Sequence, residues 1–262
     1  MKVPACVQDV YAVWILFSIL HCRANNVPRA VDLKMLISIT ALVQYFDCVE
    51  AVQLYAHFWL DRLIWPIIYI RNFHEWIWIA RIYRHDALFA EATRIAIRES
   101  TGPLDLWGFD GSKSLSGESM ILLSPCQKVP VKANIRTVLD TIETLRQEAI
   151  DGIVAKLYDR IEVVKQGKYC CGKCDALILG RLIPLLQDHG LYPRPVPPFQ
   201  GISIDVLVRT VAGLQAWSFV GVFHTIRGCD NVTGAAVGTE MQELEELCEQ
   251  VQGLSMEEFN NA

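Results

Sequence analysis

Between Lys132 and Gln166 apolar side chains recur at the helical interval without a break. Ile135, Leu139, Ile142, Leu145, Ala149, Ile153, Leu157, Ile161 and Val164 share one stripe. At 1.5 Å per residue such a helix is roughly 50 Å long, and its stripe needs cover along the whole run. Gly152 falls near the seam and interrupts the heptads, which points to cover by the chain's own helices more than by a dimeric coiled coil. The same helix is the best candidate for self-association. Gly167 is its expected stop.

The rest of the pattern is also helical. Asp32 is placed to cap a helix with Leu33, Leu36, Ile37, Thr40 and Val43 on one face. Cys48 opens a second, with Val49, Val52, Ala56, Trp59 and Leu63 on one side, so the two form a helical hairpin. Trp65, Tyr69, Phe73, Trp76 and Trp78 follow Leu63; Trp76, Ile79 and Tyr83 stand at helical spacing and read as core, with a binding surface as the alternative. A helix from Asp86 to Glu99 buries Leu88, Phe89, Ala92, Ile95 and Ala96, with His85 as its cap and Gly102-Pro103 beyond its end. Residues 108–127 are rich in Gly and Ser and lack periodicity, so they read as a surface insertion. A helix is expected from Asp175 to about Gly190, then a stiff PRPVPP connector from Pro193. Ser203 caps the next helix, which carries Ile204, Leu207, Val208, Val211 and Leu214 on one face. A last helix is expected from Thr239, ended by Gly253, with an acidic outer face. The fold class is therefore mainly α, with about nine helices and no strand signal in the first thirty residues.

A length of 262 residues with 52% hydrophobic side chains allows one large domain or two smaller ones. The formal charge is -5 and no basic stripe appears, which argues against direct binding to nucleic acid. The apolar run Val10 to Leu20 has the length of a signal-peptide core, but Asp9 stands directly before it and a buried helix is the better reading. No stretch reaches membrane length, because Asp61, Arg62, Arg71, His74 and Glu75 interrupt the aromatic region.

Nine cysteines scattered over helical stretches suit reduced thiols in the cytosol or nucleus better than a disulfide framework. Cys171 and Cys174 form a C-x-x-C pair at a helix start, where thiol pKa values fall. A long helix rather than a strand precedes it, against thioredoxin-like redox chemistry. Cys170, Cys174, His224 and Cys229 could supply an N/S set for zinc, the alternative being thiols packed between two loops. The usual phosphate, dinucleotide, acyl-transfer and metalloprotease signatures are absent, so no enzyme activity and no cofactor other than zinc is indicated.

Several segments resemble the fungal BTB/POZ-domain proteins. In that family a helix ending in His-Gly-Arg is followed by Val-Pro-Arg, an acidic helix start and a Tyr-Asp-Cys turn. The matching positions here are His21, Cys22 and Arg23, then Val27, Pro28 and Arg29, then Asp32, then Tyr45, Phe46, Asp47 and Cys48. EATRIAIRESTGPL from Glu91, RQEAI from Arg146, CDALILG from Cys174, PRPVPPFQGIS from Pro193 and VQGLSMEEF from Val251 look similar as well. The resemblance implies a chain that starts inside the BTB pattern, without the strand hairpin and helices of its front half, leaving an apolar face of the hairpin exposed. It divides the chain into the C-terminal part of a BTB-like domain (1–65), a helical continuation (66–107), the insertion (108–130) and an α-helical domain around the long helix (131–262). It also implies a non-catalytic protein-interaction or scaffold role, possible homo-oligomers, and cullin-type ligases or transcriptional regulators as partners. An accessory regulator acting through a DNA-binding partner, or a thiol redox or zinc protein, are the competing expectations.

Overall fold

A computed structural model describes residues 9–63, 73–104, 132–168, 172–213 and 251–259. Among these residues the regular elements are helices: α1 Val10–Leu20, α2 Leu33–Phe46, α3 Val49–Leu63, α4 Phe73–Ile82, α5 Asp86–Glu99, α6 Lys132–Lys165, α7 Gly172–Asp188 and α8 Ile204–Gly213, with short 3-10 turns at Ala24–Asn26 and Met256–Phe259. The mainly α reading holds. No helix among the described residues is long and apolar enough to cross a membrane. The chain forms two compact units, one from residues 1–96, 104–140 and 253–262, the other from residues 97–103 and 141–252. The expected insertion, the expected last helix up to residue 250, and Trp65 and Tyr69 lie outside the described residues.

In the first unit, α1 packs on α2 and α3, and α2 also packs on α4. Asp9 caps α1 by accepting from the Tyr11 N–H at 3.0 Å, and Asp32 caps α2 by accepting from the Met35 N–H at 2.7 Å. Helix α2 buries Leu36, Ile37, Ile39, Thr40, Leu42 and Val43, a wider face than the stripe read from the sequence. Helix α3 buries Val52, Ala56, Trp59 and Leu60. The Trp59 indole N–H donates to the Pro28 carbonyl at 2.8 Å and fixes the chain entering α2. Tyr83 is fully buried, its hydroxyl 3.2 Å from Thr40 Oγ1, and burial pushes its phenol pKa up. Helix α5 begins as expected: the Leu88 N–H donates to His85 Nδ1 at 3.2 Å.

The end of the chain departs from expectation. Residues 251–255 are not helical, so Gly253 does not close a helix. It lets the backbone cross α5 instead: a Cβ there would overlap the Ala90 carbonyl and come within 2.9 Å of the Ala90 Cα. The next amide, Leu254 N–H, donates to the buried Thr93 Oγ1 at 2.9 Å, and Leu254, Met256 and Phe259 are buried beyond it. The Phe259 ring meets Phe89 edge-on at 6.3 Å, and an Arg81 N–H donates to the Phe259 carbonyl at 3.4 Å.

In the second unit the α6 stripe is buried through Ile142, Ile150, Ile153, Val154, Leu157, Ile161 and Val164. Leu145 and Ala149 are only half-buried, and the residue that continues the seam between Ile142 and Ile150 is Arg146, wholly buried. Helix α7 buries Asp175, Ile178, Leu182 and Leu186. It begins at Gly172, three residues before the expected start, because Lys173 and Cys174 join its first turn; Asp175 is within that turn, where the exposed amides favour a carboxylate. Ser203 Oγ accepts from the Val206 N–H at 3.3 Å as the α8 cap, and Ile204, Leu207 and Val211 point inward.

Helix ends share one device. Cys22, Asp47, Arg84, Gly167 and Gly190 each follow a helix with positive φ, and the next amide returns to a carbonyl in the last turn, as from Arg23 to Ser18 at 2.8 Å and from Leu191 to Leu186 at 2.7 Å.

Candidate interaction surface

Helix α1 is apolar nearly all round, so burying one face leaves another apolar one. Ala12, Ile15, Leu16 and Ile19 face inward, while Val10 is 79% exposed and Tyr11 and Trp14 are exposed beside it. The Tyr11 and Trp14 rings stack with centroids 5.4 Å apart. One turn on, Phe17 meets Phe46 edge-on at 6.1 Å, and Phe46 meets the exposed Tyr45 at 5.0 Å. The result is an exposed aromatic pair on α1 and, further along that helix, a second aromatic cluster shared with the last turn of α2. Stacked rings hold fixed rotamers, so little further side-chain entropy is lost when a partner covers them. A second apolar patch stands on α3, where Leu54 and Phe58 are 67% and 60% exposed. The apolar faces expected on the two hairpin helices are mostly buried, through Leu36, Ile37, Thr40 and Val43 on α2 and Val52, Ala56 and Trp59 on α3; Leu54 and Phe58 lie on the other side of α3.

Two histidines far apart in sequence meet: the His57 and His85 rings are 5.6 Å apart, His57 Nε2 lies 3.3 Å from the Tyr83 carbonyl oxygen, and His85 caps α5. Nothing in the residue pattern signals that pairing, since it depends on where α3 and the start of α5 meet. Burial, with the Asp47 charge second, pushes the Cys48 thiol up, which makes it a poor nucleophile.

Of the proposed zinc ligands, Cys174 lies half-buried in the first turn of α7. Cys170, His224 and Cys229 lie outside the described residues, as does Cys171. Among the described residues no three of His, Cys, Asp and Glu are grouped to hold a metal.

Arg146, which the sequence marks only as the first residue of RQEAI, has a role that its position does not announce. Its guanidinium donates to both Glu143 carboxylate oxygens at 2.8 and 2.7 Å and to the carbonyls of Pro198, Phe199 and Ile202 at 2.7, 3.3 and 3.0 Å. Burial alone would raise the Glu143 carboxyl, but the hydrogen bonds from Arg146 and Gln147 and the Arg146 charge outweigh it and hold the group below its ordinary value. Phe199 is buried with φ 51, a conformation disfavoured for a residue with a Cβ, and its carbonyl is one of those Arg146 holds. Around this knot, Gly201 N–H donates to the Thr101 carbonyl at 2.7 Å, Arg98 pairs with Asp205 at 2.8 Å, and Tyr158 Oη donates to the Leu191 carbonyl at 2.8 Å. It is a structural centre: every donor of the guanidinium is directed at the chain itself.

Compared with known proteins, the chain matches no family model, no curated protein and no solved structure.

Proposed function

We propose that this chain is a non-catalytic interaction or scaffold protein of the fungal BTB-like type, acting in the cytosol or nucleus, with the exposed aromatics of α1 and the last turn of α2 as its main docking face. The observation that carries this is the exposed stack of Tyr11 on Trp14 next to Val10 on α1, held on a packed helical unit whose α2 ends in the exposed Tyr45. Clustered, pre-oriented aromatics are what protein interfaces select for.

The BTB-like lineage draws support from one backbone angle. Where the fungal pattern reads His-Gly-Arg, this chain has Cys22, and Cys22 has φ 56 in the turn that ends α1. Glycine is the residue such a turn favours. Cullin-type ligases and transcriptional regulators are the partner classes to look for first, as bound proteins and not through direct DNA contact.

The test is affinity capture with mass spectrometry, alongside light scattering, for the wild type and for a Tyr11→Ser/Trp14→Ser variant. Both substitutions are on the solvent side, so far-UV circular dichroism should be unchanged. The reading expects partners, or a second copy, lost in the variant. Identical capture and identical mass for the two proteins would remove it.

A further inference from the structure

Residues 253–259 lie on α5 as a peptide ligand lies in a site, and a different feature of the surface recognises each point of them. Gly253 passes where a Cβ would overlap the Ala90 carbonyl, so glycine is required there. The buried Thr93 hydroxyl is 2.8 and 3.0 Å from the Phe89 and Ala90 carbonyls, to which its single hydrogen is directed. Its lone pairs are left for a donor, and the Leu254 N–H supplies one at 2.9 Å. Leu254, Met256 and Phe259 are buried, while Ser255, Glu257 and Glu258 between them are exposed. Phe89 meets the Phe259 ring edge-on, and Arg81 at the end of α4 donates to the Phe259 carbonyl. The surface thus selects Gly-Leu-x-Met-x-x-Phe through main chain and side chains together.

What holds the segment is small beside what it orders. Three buried side chains and the bonds at Thr93 and Arg81 stand against the backbone entropy of residues 253–259. Such a segment opens far more readily than the helices beneath it unfold. Once it is open in two copies, each surface can take the other's segment with identical contacts. The balance between cis and trans is then set by concentration and not by fit.

We propose that this surface of α5, completed by Arg81, is a peptide-binding site for the Gly-Leu-x-Met-x-x-Phe pattern, filled here by the chain's own residues 253–259 and open to the same segment of a second copy in exchange. None of the exposed aromatics of α1 takes part in it.

Two variants of the whole chain test it. Gly253→Ala keeps the site and spoils the segment; Thr93→Val keeps the segment and removes the acceptor from the site. A fluorescent peptide of residues 251–259 should bind Gly253→Ala about 10-fold or more tighter than wild type, whose site is filled in cis. The same peptide with alanine for its glycine should bind neither. At about 0.5 mM, each variant alone should stay monomeric by sedimentation, and an equimolar mixture should form a dimer that excess peptide dissociates. Should Gly253→Ala fail to fold, Leu254→Ser/Phe259→Ser spoils the segment through its side chains alone and takes its place. Equal peptide affinity for wild type and variant, or a mixture with no mass beyond the monomer, would overturn the proposal. Tyr11→Ser/Trp14→Ser introduced into both variants should leave these results unchanged; loss of the dimer there would assign self-association to α1 and remove this site as its cause.

Discussion

Replacing Arg146 by Met tests the second unit at its centre. Methionine keeps the length of the side chain and suits a helix, so the change removes the guanidinium and little else. It leaves the Glu143 carboxylate, whose side chain is 15% exposed, with Gln147 as a remaining donor at 2.6 Å. It also strips the charged donor from the carbonyls of Pro198, Phe199 and Ile202. Breaking one side of a buried ion pair costs about 3–5 kcal/mol, and an orphaned buried acceptor about 1–3 kcal/mol. These overlap, because a relaxed loop can rehydrate some of the carbonyls, so about 3–5 kcal/mol is the expected loss for the single substitution. At about 2–4 °C per kcal/mol for a chain of this size, the melting temperature should fall by about 6–20 °C.

Urea unfolding gives the free energy, and amide exchange gives the location. The Phe199, Gly201 and Ile202 N–H groups bond to the carbonyls of Val196, Thr101 and Phe199 and should lose protection first. Arg146→Lys keeps the charge but not the fork and should fall between wild type and Met. Glu143→Met together with Arg146→Met removes the stranded carboxylate and should recover part of the loss. A cost below about 1 kcal/mol for Arg146→Met, with those three amides still protected, would mean that the guanidinium is solvated like a surface pair, and the reasoning would be wrong.

Acidification should act oppositely at two carboxylates, one in each unit. Glu143 has its folded-state pKa lowered, so its stabilisation is complete above the unfolded carboxylate value and is lost as pH falls through the folded one; Glu75, raised by burial and only partly offset by its backbone hydrogen bond, costs stability when ionised and is relieved as pH falls. Exchange measured peptide by peptide between pH 7 and 3 separates the two, and Glu143→Gln and Glu75→Gln should each abolish one response. Gly253→Ala should detach residues 253–259 from α5, seen as lost protection of the Leu254 amide and a melting temperature lower by several degrees, since the overlap is with backbone and cannot be relieved by a rotamer. Cys22→Gly should stabilise the protein by about 0.5–1 kcal/mol, because the exposed side chain gives up little contact while the left-handed backbone is relaxed; a loss of stability would show that Cys22 makes contacts worth more than that strain.

What was legible in the sequence is what a single helix decides. Asp32, His85 and Ser203 cap where their side chains have to be, one turn from the amides they satisfy. Gly167 and the α6 stripe were readable for the same reason. Arg146 was not, because a cation in an apolar seam looks like a surface residue until its partners are known, and three of them lie more than fifty positions away. The one local clue was Glu143, a turn earlier, which lets the seam continue through an internally neutralised charge. Gly253 was misread because a glycine that ends a helix and one that lets two backbones cross are identical in a sequence. Nor could the sequence say which of two apolar faces of α1 would be covered, since that depends on α2 and α3.

Several of the short segments singled out in the sequence tie distant parts of each unit together. Arg146, from RQEAI, holds the carbonyls of PRPVPPFQGIS, and Gly201 of that loop bonds to Thr101 of RESTGPL. Glycine and leucine of VQGLSMEEF meet Ala90 and Thr93 on α5. Val-Pro-Arg is pinned by Trp59 through the Pro28 carbonyl. Such residues specify a fold and carry no reaction with them. On the proposed interaction role, partner choice is carried by side chains that the fold does not use, and among the described residues those include Val10, Tyr11, Trp14 and Tyr45 on α1 and α2, and Leu54 and Phe58 on α3. If two chains shared all the ties and differed at these six positions, they would share an architecture and bind different proteins. Exchanging those six residues between two such chains should exchange their partners and leave their melting temperatures in place.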